Sequence, residues 1–456
     1  MRFKNLLKIT VNLLCGFLIA GCSPNQLYRV PPTVDNAKPK DIFVLMDGTS
    51  NNPEVPTNVF RLYEEINKYN DQQTIATYIE GVGNEESLVG STLSDIFATG
   101  MEARILQGYK FLVKQYRPGD RIFISGFSRG AFTARSLAGL ISYAGIVKPV
   151  DGDDETFLDW WPFNSGYVFG NKILERVKDE IDVKNSTEWA TWKRGDQPLL
   201  KQVFESDVDK YGEVIAQQAE IEFLGVWDTV PGSQFKNYFE LGDLVCKEQK
   251  DNSDTKQRYQ LDSYPPIHHI AHAVSIDEKR EAFRPLFLCS KRIDKESVHN
   301  EKLTVLDEVA FPGAHADVGG GYEDKNNQLP DISLNWMIDK LKEHYDLKSC
   351  IGCIGEGVPG GLGHLSVSDN IMHVFPWSCK DRHLPCNVKL HESNDEREVD
   401  GAVPWRYFTK KPSDNAIEQQ QTSATVNKSC EPDDEENILC IKQSNITCDR
   451  LFSDEK

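Results

Sequence analysis

Residues 124–140, ISGFSRGAFTARSLAGL, have the pattern of a buried strand, a tight glycine-flanked turn and a helix. The apolar run at 121–124 is what a parallel strand buried on both faces should show. After the turn, apolar residues recur at helical spacing, and interspersed alanines let that helix lie close to a sheet. Ser128 stands in the turn in a Gly-x-Ser-x-Gly pattern, and this strand–turn–helix context is typical of a nucleophilic serine.

Further short apolar runs alternate with helical patterns along the chain, which predicts parallel strands joined by crossover helices. The fold class is therefore predicted as α/β, a mostly parallel sheet with flanking helices. The predicted strands cover residues 42–46, 74–79, 121–124, 221–226 and 308–311, and the predicted helices cover about 101–116 and 266–283.

The first 21 residues have the pattern of a bacterial lipoprotein signal peptide. A positively charged start is followed by a short apolar stretch that ends in Ala20-Gly21-Cys22. Cys22 is then the lipidated first residue of the mature chain, residues 22–39 a polar, Pro-rich tether, and Ser23 favours an outer-membrane anchor facing the periplasm or the cell surface. An ordinary cleaved signal peptide and a spanning anchor are the alternatives, and the apolar stretch is short for a bilayer span.

Export implies an oxidising compartment, in which disulfides are favoured over zinc sites. Beyond Cys22 the chain holds nine further cysteines, at positions 246, 289, 350, 353, 379, 386, 430, 440 and 448. We expect a catalytic domain at 40–349 with an insertion at about 150–218, and a Cys/Gly-rich, partly disordered C-terminal extension at 350–456. The net charge of −19 argues against nucleic-acid binding, which needs a basic surface.

Three residues at predicted strand ends, Ser128, Asp228 and His315, occur in the chain order of α/β-hydrolase triads. In an open parallel sheet such residues collect beyond the carboxyl ends of the strands. A serine hydroxyl needs an imidazole to take its proton, and the imidazole needs a carboxylate to orient it. We therefore predict Ser128 as nucleophile, His315 as general base and then acid, and Asp228 as the orienting carboxylate.

An oxyanion would be bound by two backbone N–H groups near the serine. The sequence points to the N–H of Arg129 and to a second N–H after the first strand, from Gly48 or Thr49.

Other chemical groups compete for these roles. Asp317, two residues beyond His315, is an alternative carboxylate partner, and His272 is a rival histidine that falls within a helical pattern. Asp228 could instead cap the next helix. Asp47 is interpreted as a turn aspartate that binds the N–H groups of its own loop.

Six ordered motifs between residues 41 and about 345 resemble a family of uncharacterised α/β-hydrolases that includes the type VI secretion phospholipase effectors with a Gly-x-Ser-x-Gly motif. The resemblance implies an α/β-hydrolase core, a Ser-Asp-His triad and activity on phospholipid acyl esters. Secreted effectors of this kind usually lack an export signal, whereas this chain has the lipoprotein signal pattern that ends in Ala20-Gly21-Cys22. The resemblance therefore leaves the substrate and any toxic role open. The motifs are Asp47-Gly48-Thr49-x-Asn51-Asn52, Thr57-Asn58-Val59, Gly126-Phe127-Ser128-Arg129-Gly130-Ala131, Gly225-Val226-Trp227-Asp228-Thr229-Val230, His272-Ala273-x-x-x-Asp277-Glu278 and His315-Ala316-Asp317-Val318-Gly319-Gly320-Gly321-Tyr322.

The leading hypothesis is a membrane-anchored serine hydrolase that cleaves a lipid or other ester through an acyl-enzyme, with no cofactor and no metal. A second is a metal-dependent phosphoesterase with Asp47, Asp228, His315 and Asp317 as ligands, because carboxylates and imidazole suit hard or borderline ions. A third is an envelope lipoprotein that uses a hydrolase scaffold for binding alone.

Overall fold

The structure is a computed structural model of the 456-residue chain. It describes residues 26–31, 34–35, 37–49, 51, 53–68, 73–81, 93–149, 214–231, 266–278, 283–288, 304–322, 328–345 and 388–394, with isolated positions at 170, 173–175, 177, 424–425 and 442–443. The predicted signal peptide, Cys22, most of the predicted insertion, all nine later cysteines and most of the C-terminal extension lie outside the described residues.

The fold is built on an eight-stranded sheet that is parallel except at one edge. The order across the sheet is β1-β3-β2-β4-β7-β8-β9-β10, so β4 and β7 are the two central strands and β2 lies on the other side of β4. This confirms the predicted α/β class and the predicted strands, which the structure extends by one to three residues at some ends. The strands are β1 (Gln26–Arg29), β2 (Asp41–Met46), β3 (Thr74–Ile79), β4 (Arg121–Phe127), β5 (Ile146–Pro149), β6 (Val214–Gln217), β7 (Ile221–Trp227), β8 (His269–Ser275), β9 (Val305–Phe311) and β10 (Lys389–Leu390); β11 (Ala424–Thr425) and β12 (Lys442–Gln443) pair separately.

Helices cover both faces of the sheet, and each face has its own apolar core. The helices α2 (Leu93–Gln115) and α3 (Arg129–Ala144) pack on one face, and α1 (Asn58–Lys68) and α5 (Leu329–Lys342) pack on the other. A short helix, α4 (His315–Gly319), follows β9, and a 3₁₀ turn covers Glu392–Asn394. Across the described ranges, no helix combines the length and the apolar character needed to cross a bilayer.

The predicted helix at 266–283 is wrong, because residues 269–275 form strand β8 in the interior of the sheet. Every residue of β8 is buried. A strand buried on both faces has no alternation of apolar and polar residues, so its sequence lacks the period of two that would distinguish it from a helix.

Part of the predicted tether at 22–39 belongs to the sheet. Residues 26–29 form the edge strand β1, which pairs antiparallel with β3. The tether interpretation missed this strand because a four-residue, half-exposed edge strand carries too little hydrophobic pattern to stand out from polar surroundings.

The two ends of the predicted insertion lie next to each other. Strands β5 and β6 pair antiparallel, with Ile146 opposite Gln217 and Pro149 opposite Val214. Pro149 and Val214, the residues that flank most of the predicted insertion, are therefore neighbours, and Ile173, Leu174 and Val177 from within it are buried in the core on the α2 and α3 face.

Candidate active site

Ser128 lies on a tight turn between β4 and α3 with a backbone conformation that side-chain-bearing residues rarely adopt. Its φ of 57° and ψ of −124° place it in a strained region of backbone space. A Cβ at Gly126 would lie 2.4 Å from the carbonyl oxygen of Gly130, and a Cβ at Gly130 would lie 2.3 Å from the carbonyl oxygens of Met46 and Asp47. Both flanking positions therefore require glycine, which is the physical content of the Gly-x-Ser-x-Gly pattern.

Backbone hydrogen bonds to the neighbouring strand hold this turn in place. The Ser128 N–H donates to the carbonyl oxygen of Trp227 at 3.0 Å. The Ser128 carbonyl oxygen accepts the N–H of Val230 at 3.1 Å and that of Phe132 at 3.2 Å. The strained conformation is fixed from both sides, so the side chain at 128 has a defined direction.

His315 contacts both other members of the predicted triad. Its Nε2 lies 2.7 Å from Ser128 Oγ, and its Nδ1 lies 2.6 Å from Asp228 Oδ2. A carboxylate can only accept, so Nδ1 carries the proton and Nε2 is free to accept the serine hydroxyl proton. The structure thus brings Ser128, His315 and Asp228 together in the order and geometry that the sequence predicts.

Two phenyl rings lie against the imidazole. The ring of Phe127 is 4.6 Å from that of His315 between centroids, and the ring of Phe283 is 4.9 Å away on an edge-on approach. These contacts restrict the rotation of the imidazole and limit the access of water to it. His315 has an exposed fraction of only 4%.

Asp228 is oriented by Ser275 at the end of β8. The Ser275 N–H donates to Asp228 Oδ1 at 3.0 Å, and the Ser275 hydroxyl donates to Oδ2 at 3.2 Å. Asp228 is fully buried, and its φ of 38° is a second unusual backbone angle at the site. Among the described residues, its carboxylate binds the triad histidine and Ser275, as the prediction of an orienting acid requires.

The loop that carries His315 is held by two buried acids after β8. Asp277 Oδ2 accepts the N–H of Gly313 at 2.7 Å, and Glu278 Oε2 accepts the N–H of His315 at 3.3 Å. The sequence places Asp277 and Glu278 within a motif but does not indicate this role, and no sequence pattern indicates a role for Ser275 or Phe283. Ser275 ends β8, and Asp277 and Glu278 follow it by two and three residues, so the helix predicted over 266–283 hid their position at a strand end.

Asp317 is not the partner of His315. Its Oδ2 accepts the N–H of Ala314 at 2.8 Å, so the carboxylate closes the first turn of α4. The prediction that left Asp317 open as an alternative acid is corrected, because the side chain that follows a helix start by three positions folds back on that start.

His272 is also separate from the triad. Its Nδ1 lies 2.7 Å from Glu308 Oε1, and its Nε2 accepts the N–H of Thr229 at 3.1 Å. Both ring nitrogens of this buried side chain are engaged, which makes it a structural link between β7, β8 and β9.

The loop after β2 lies directly beside the serine. A Cβ at Gly48 would come within 3.0 Å of Ser128 Cβ, so only glycine allows this approach. The Gly48 N–H already donates to Asp47 Oδ1 at 2.7 Å, which removes Gly48 from the two predicted candidates for the second oxyanion donor. Thr49 remains, and its buried Oγ1 has no hydrogen-bond partner in the part of the chain that the structure describes.

Arg129, the other predicted oxyanion donor, is the first residue of α3. The first N–H groups of a helix have no acceptor within the helix, and they attract negative charge. The Arg129 side chain is partly buried, and desolvation lowers its pKa to about 10. The guanidinium is still charged at neutral pH.

Asp47 has the turn role that the sequence suggests, with two further partners. Its Oδ1 accepts the N–H of Gly48, and its Oδ2 accepts the hydroxyls of Thr57 at 2.8 Å and Tyr78 at 2.6 Å. Desolvation raises the pKa of Asp47 to about 6, and the same burial together with the Asp47 charge raises the pKa of Tyr78.

The ligand set of the metal-dependent alternative is not assembled. The carboxylates of Asp47 and Asp317 face donors of their own loops, as described above. Among the described residues, the group of metal-type ligand atoms that lie within 4.8 Å of one another is found elsewhere, at His269, Glu343 and His344.

Comparison with known protein families assigns most of the chain to a family. Residues 40–340 match the family described as "T6SS, Phospholipase effector Tle1-like, catalytic domain". This range contains all six motifs of the resemblance and confirms it. An uncharacterized protein of Saccharomyces cerevisiae, YEL023C, is 26% identical over 274 residues, which are 56% of this chain and 34% of that protein. The chain thus spans about a third of the length of this relative.

Three solved structures are similar in part. The Tle1 effector, solved bound to the VgrG spike of the type 6 secretion system, is 18% identical with a TM-score of 0.29, over 64% of this chain and 53% of that one. Est1E of Butyrivibrio proteoclasticus with ferulic acid is 10% identical, with a TM-score of 0.31 over 70% and 94%. The esterase Est2 of Thermogutta terrifontis with propionate is 12% identical, with a TM-score of 0.31 over 75% and 98%.

Asp47→Asn should change how stability depends on pH. Because the pKa of Asp47 is raised from 3.8 to about 6 in the folded protein, the folded state holds this proton more tightly than the unfolded state does. The Asp47 contribution to stability is therefore greatest below about pH 4 and is lost as pH rises through 6. Asparagine does not ionise, so the variant should gain up to about 3 kcal/mol relative to wild type between pH 4 and 7.

Urea unfolding at a series of pH values checks this expectation. Asp35→Asn is the control, because Asp35 is solvent-exposed and its pKa is lowered rather than raised. A constant difference between Asp47→Asn and wild type over this pH range would contradict the assignment.

Proposed function

Because this chain belongs to the Tle1-like type VI secretion phospholipase effector family, we propose that it is a serine hydrolase that cleaves carboxylic esters, phospholipid acyl esters in particular, through an acyl-enzyme. The observation that carries the proposal is the unbroken chain of hydrogen bonds from Ser128 Oγ through His315 to Asp228, at 2.7 and 2.6 Å. A serine in an ordinary glycine-rich loop would need neither a strained backbone nor a hydrogen bond to an imidazole that a carboxylate orients.

The first half of the reaction transfers the acyl group to the enzyme. Ser128 Oγ attacks the ester carbonyl carbon while its proton passes to His315 Nε2, and the carbonyl oxygen becomes an oxyanion. Asp228 stabilises the imidazolium that forms, and its hydrogen bond keeps the ring in the tautomer that can accept the proton. The bond from the carbonyl carbon to the alcohol oxygen then breaks, and His315 returns the proton to that oxygen.

The second half regenerates the serine. A water molecule gives its proton to His315 Nε2 and attacks the acyl carbon, and collapse of this second tetrahedral species releases the fatty acid. The proton returns from His315 to Ser128 Oγ. The reaction consumes water alone as co-reactant.

The oxyanion is bound by the N–H groups of Arg129 and Thr49. Their location supports this role, because Arg129 starts α3 directly after the nucleophile and Thr49 belongs to the loop that touches Ser128. The Thr49 hydroxyl, which has no hydrogen-bond partner among the described residues, is a third donor within the same loop. Such donors act on charge that develops only in the transition state, so they accelerate the chemical step.

The proposed place of action is the surface of a membrane in the cell envelope, with the chain held by a lipid on Cys22. Only residues 23–25 separate Cys22 from β1, which is about 14 Å of extended chain from Cys22 to Gln26. The first described residues expose apolar side chains: the exposed fractions are 37% for Leu27, 58% for Tyr28 and 49% for Val30. An apolar surface this close to a lipid anchor is suited to contact with the bilayer.

Ser128→Ala should abolish ester hydrolysis while the fold is retained. Loss of the nucleophile should lower kcat by at least about 10³-fold, because the oxyanion donors alone supply only residual catalysis. Hydrolysis of p-nitrophenyl esters and release of fatty acid from phospholipid vesicles measure the effect. Ser136→Ala is the matched control, since Ser136 is a buried serine of α3 whose hydroxyl donates only to the Phe132 carbonyl. Turnover that survives in Ser128→Ala would exclude the proposed mechanism.

The two candidate acids are separated by paired variants. Asp228→Asn keeps the shape but removes the charge that fixes the His315 tautomer, so kcat should fall by about 10³- to 10⁴-fold. Asp317→Asn keeps an oxygen that can accept the Ala314 N–H, so kcat should stay within about tenfold of wild type. The comparison of kcat for the two variants decides between them, and a larger loss in Asp317→Asn would reverse the assignment.

Cys22→Ser should release the protein from membranes. Without the thiol no lipid can be attached, so the chain should move from the membrane fraction to the soluble fraction and lose incorporation of labelled palmitate. Cys15→Ser, in the apolar stretch of the predicted signal peptide, is the control and should behave as wild type. Labelled palmitate that persists in Cys22→Ser would refute the anchor.

A further inference from the structure

A cluster of histidines and carboxylates lies at the amino ends of the parallel strands, whereas Ser128 lies at their carboxyl ends. His269 opens β8 and is fully buried, and His344 follows α5 with a side chain that is 17% exposed. Their ring nitrogens, His269 Nδ1 and His344 Nε2, face each other at 2.9 Å. The proposed ester hydrolysis uses none of these groups.

The ring nitrogens that face away from this contact, His269 Nε2 and His344 Nδ1, are called the outer nitrogens, and the two that face each other are the inner nitrogens. The hydrogen bonds of the outer nitrogens determine whether the inner nitrogens carry protons. His269 Nε2 lies 3.0 Å from Asp307 Oδ2, and His344 Nδ1 lies 3.0 Å from Glu222 Oε1. Carboxylates only accept, so both outer nitrogens carry protons. In two neutral imidazoles the inner nitrogens then present only lone pairs to each other, so a contact of 2.9 Å needs a positive ion between them, either a proton or a metal ion.

A third ligand is at hand. Glu343, at the end of α5, places Oε2 4.0 Å from His269 Nδ1, and one ligand atom from each of His269, His344 and Glu343 lies within 4.8 Å of the others. We propose that these three side chains bind one divalent transition-metal ion, Zn²⁺ or an ion of similar preference. Two imidazole nitrogens and one carboxylate oxygen form a ligand set that suits zinc, and an outside water would complete four-fold coordination.

The surroundings of the two histidines are those of metal-bound imidazoles. A metal-bound histidine donates its other N–H to a carboxylate or carbonyl oxygen, which fixes the ring and increases its basicity. Asp307 and Glu222 provide this to His269 and His344 respectively. Two nitrogens bound to one tetrahedral zinc at about 2.05 Å lie about 3.3 Å apart, so the rings need to separate by only about 0.4 Å.

The local charge also favours a cation. Four carboxylates, those of Glu220, Glu222, Asp307 and Glu343, are linked through this network to the histidines. Lys340 is the ammonium that faces them, 2.9 Å from Asp307 Oδ2 and 3.3 Å from Glu343 Oε1. His268 joins two of these acids, because its Nε2 lies 2.6 Å from Glu220 Oε2 and its Nδ1 lies 3.3 Å from Glu222 Oε2. Arg121 adds positive charge near Glu222 and donates to the His344 carbonyl oxygen, but its guanidinium is paired with Asp41 through two hydrogen bonds. Among the described residues, the acids of the cluster therefore outnumber the lysine and arginine side chains beside them.

Such an ion would have a structural effect. Glu222 belongs to β7, His269 to β8 and Asp307 to β9, while Glu343 and His344 follow α5. An ion bound here would tie β8 directly to the end of α5, and β7 and β9 would be linked to it through the hydrogen bonds of Glu222 and Asp307 to the two histidines. Glu343, with 53% of its side chain exposed, leaves the site open to ions from solution.

Zinc binding by the full-length protein tests the proposal. The protein is stripped with EDTA, dialysed against zinc chloride, and assayed for bound zinc by mass spectrometry and for its Tm. Wild type should hold one equivalent more zinc than His344→Gln and should gain Tm on zinc addition, whereas His344→Gln should not. Comparison between variants separates this site from zinc bound by cysteines elsewhere.

Two further variants keep the result interpretable. Glu343→Gln changes an exposed side chain that the fold tolerates, and it should weaken zinc binding at least tenfold. His391→Gln is the control, because His391 contacts Ser393 and Phe311 instead of the cluster, and it should bind zinc as wild type does. If circular dichroism shows His344→Gln to be misfolded, Glu343→Gln alone decides. Equal zinc content and equal affinity in wild type and Glu343→Gln would overturn the site, and the bridging cation would then be a proton on one imidazole.

Discussion

The close contact between the backbones of β2 and α3 at Gly130 is the constraint on which the rest of the site depends. The carbonyl oxygens of Met46 and Asp47 occupy the space that a Cβ at Gly130 would take. This contact lets α3 begin immediately behind Ser128, holds the serine in its strained conformation and brings the Gly48–Thr49 loop beside it. The nucleophile and the proposed oxyanion donors are thus consequences of one steric arrangement. The strain at Ser128 is balanced by three backbone hydrogen bonds to Trp227, Val230 and Phe132.

The sheet divides its polar chemistry between its two ends. At the carboxyl ends of the strands, Ser128, Asp228 and His315 form a hydrogen-bonded line that is closed off by phenyl rings. At the amino ends, His269 and His344 face each other within a ring of carboxylates. Both histidine sites depend on the same principle, which is that a carboxylate on one ring nitrogen fixes the protonation of the other. The proposed roles differ because His315 Nε2 faces the Ser128 hydroxyl, whereas His269 Nδ1 faces the imidazole of His344.

Sequence reasoning worked best where one residue type is sterically obligatory. The glycines around Ser128 and the buried runs of β2, β3, β4 and β7 predicted the sheet and the position of the nucleophile, because their patterns reflect local geometry. It was wrong at β8, where His272 and its neighbours form a strand buried on both faces. It predicted Asp228 as the orienting acid but left Asp317 open as an alternative, because the choice depends on whether a carboxylate turns back on its own helix or reaches a histidine from another strand. Ser275, Phe283 and the pairing of His269 with His344 were beyond its reach, since each depends on contacts between distant segments.

The central claim is that Ser128 is an activated nucleophile, and covalent labelling tests it most directly. The full-length protein is treated with a fluorophosphonate probe, digested, and the modified residue is identified by peptide mass spectrometry. The account predicts a single adduct on Ser128, with labelling that is lost after heat denaturation because the contact with His315 is lost. An unmodified Ser128, or an adduct on another residue with Ser128 intact, would contradict it.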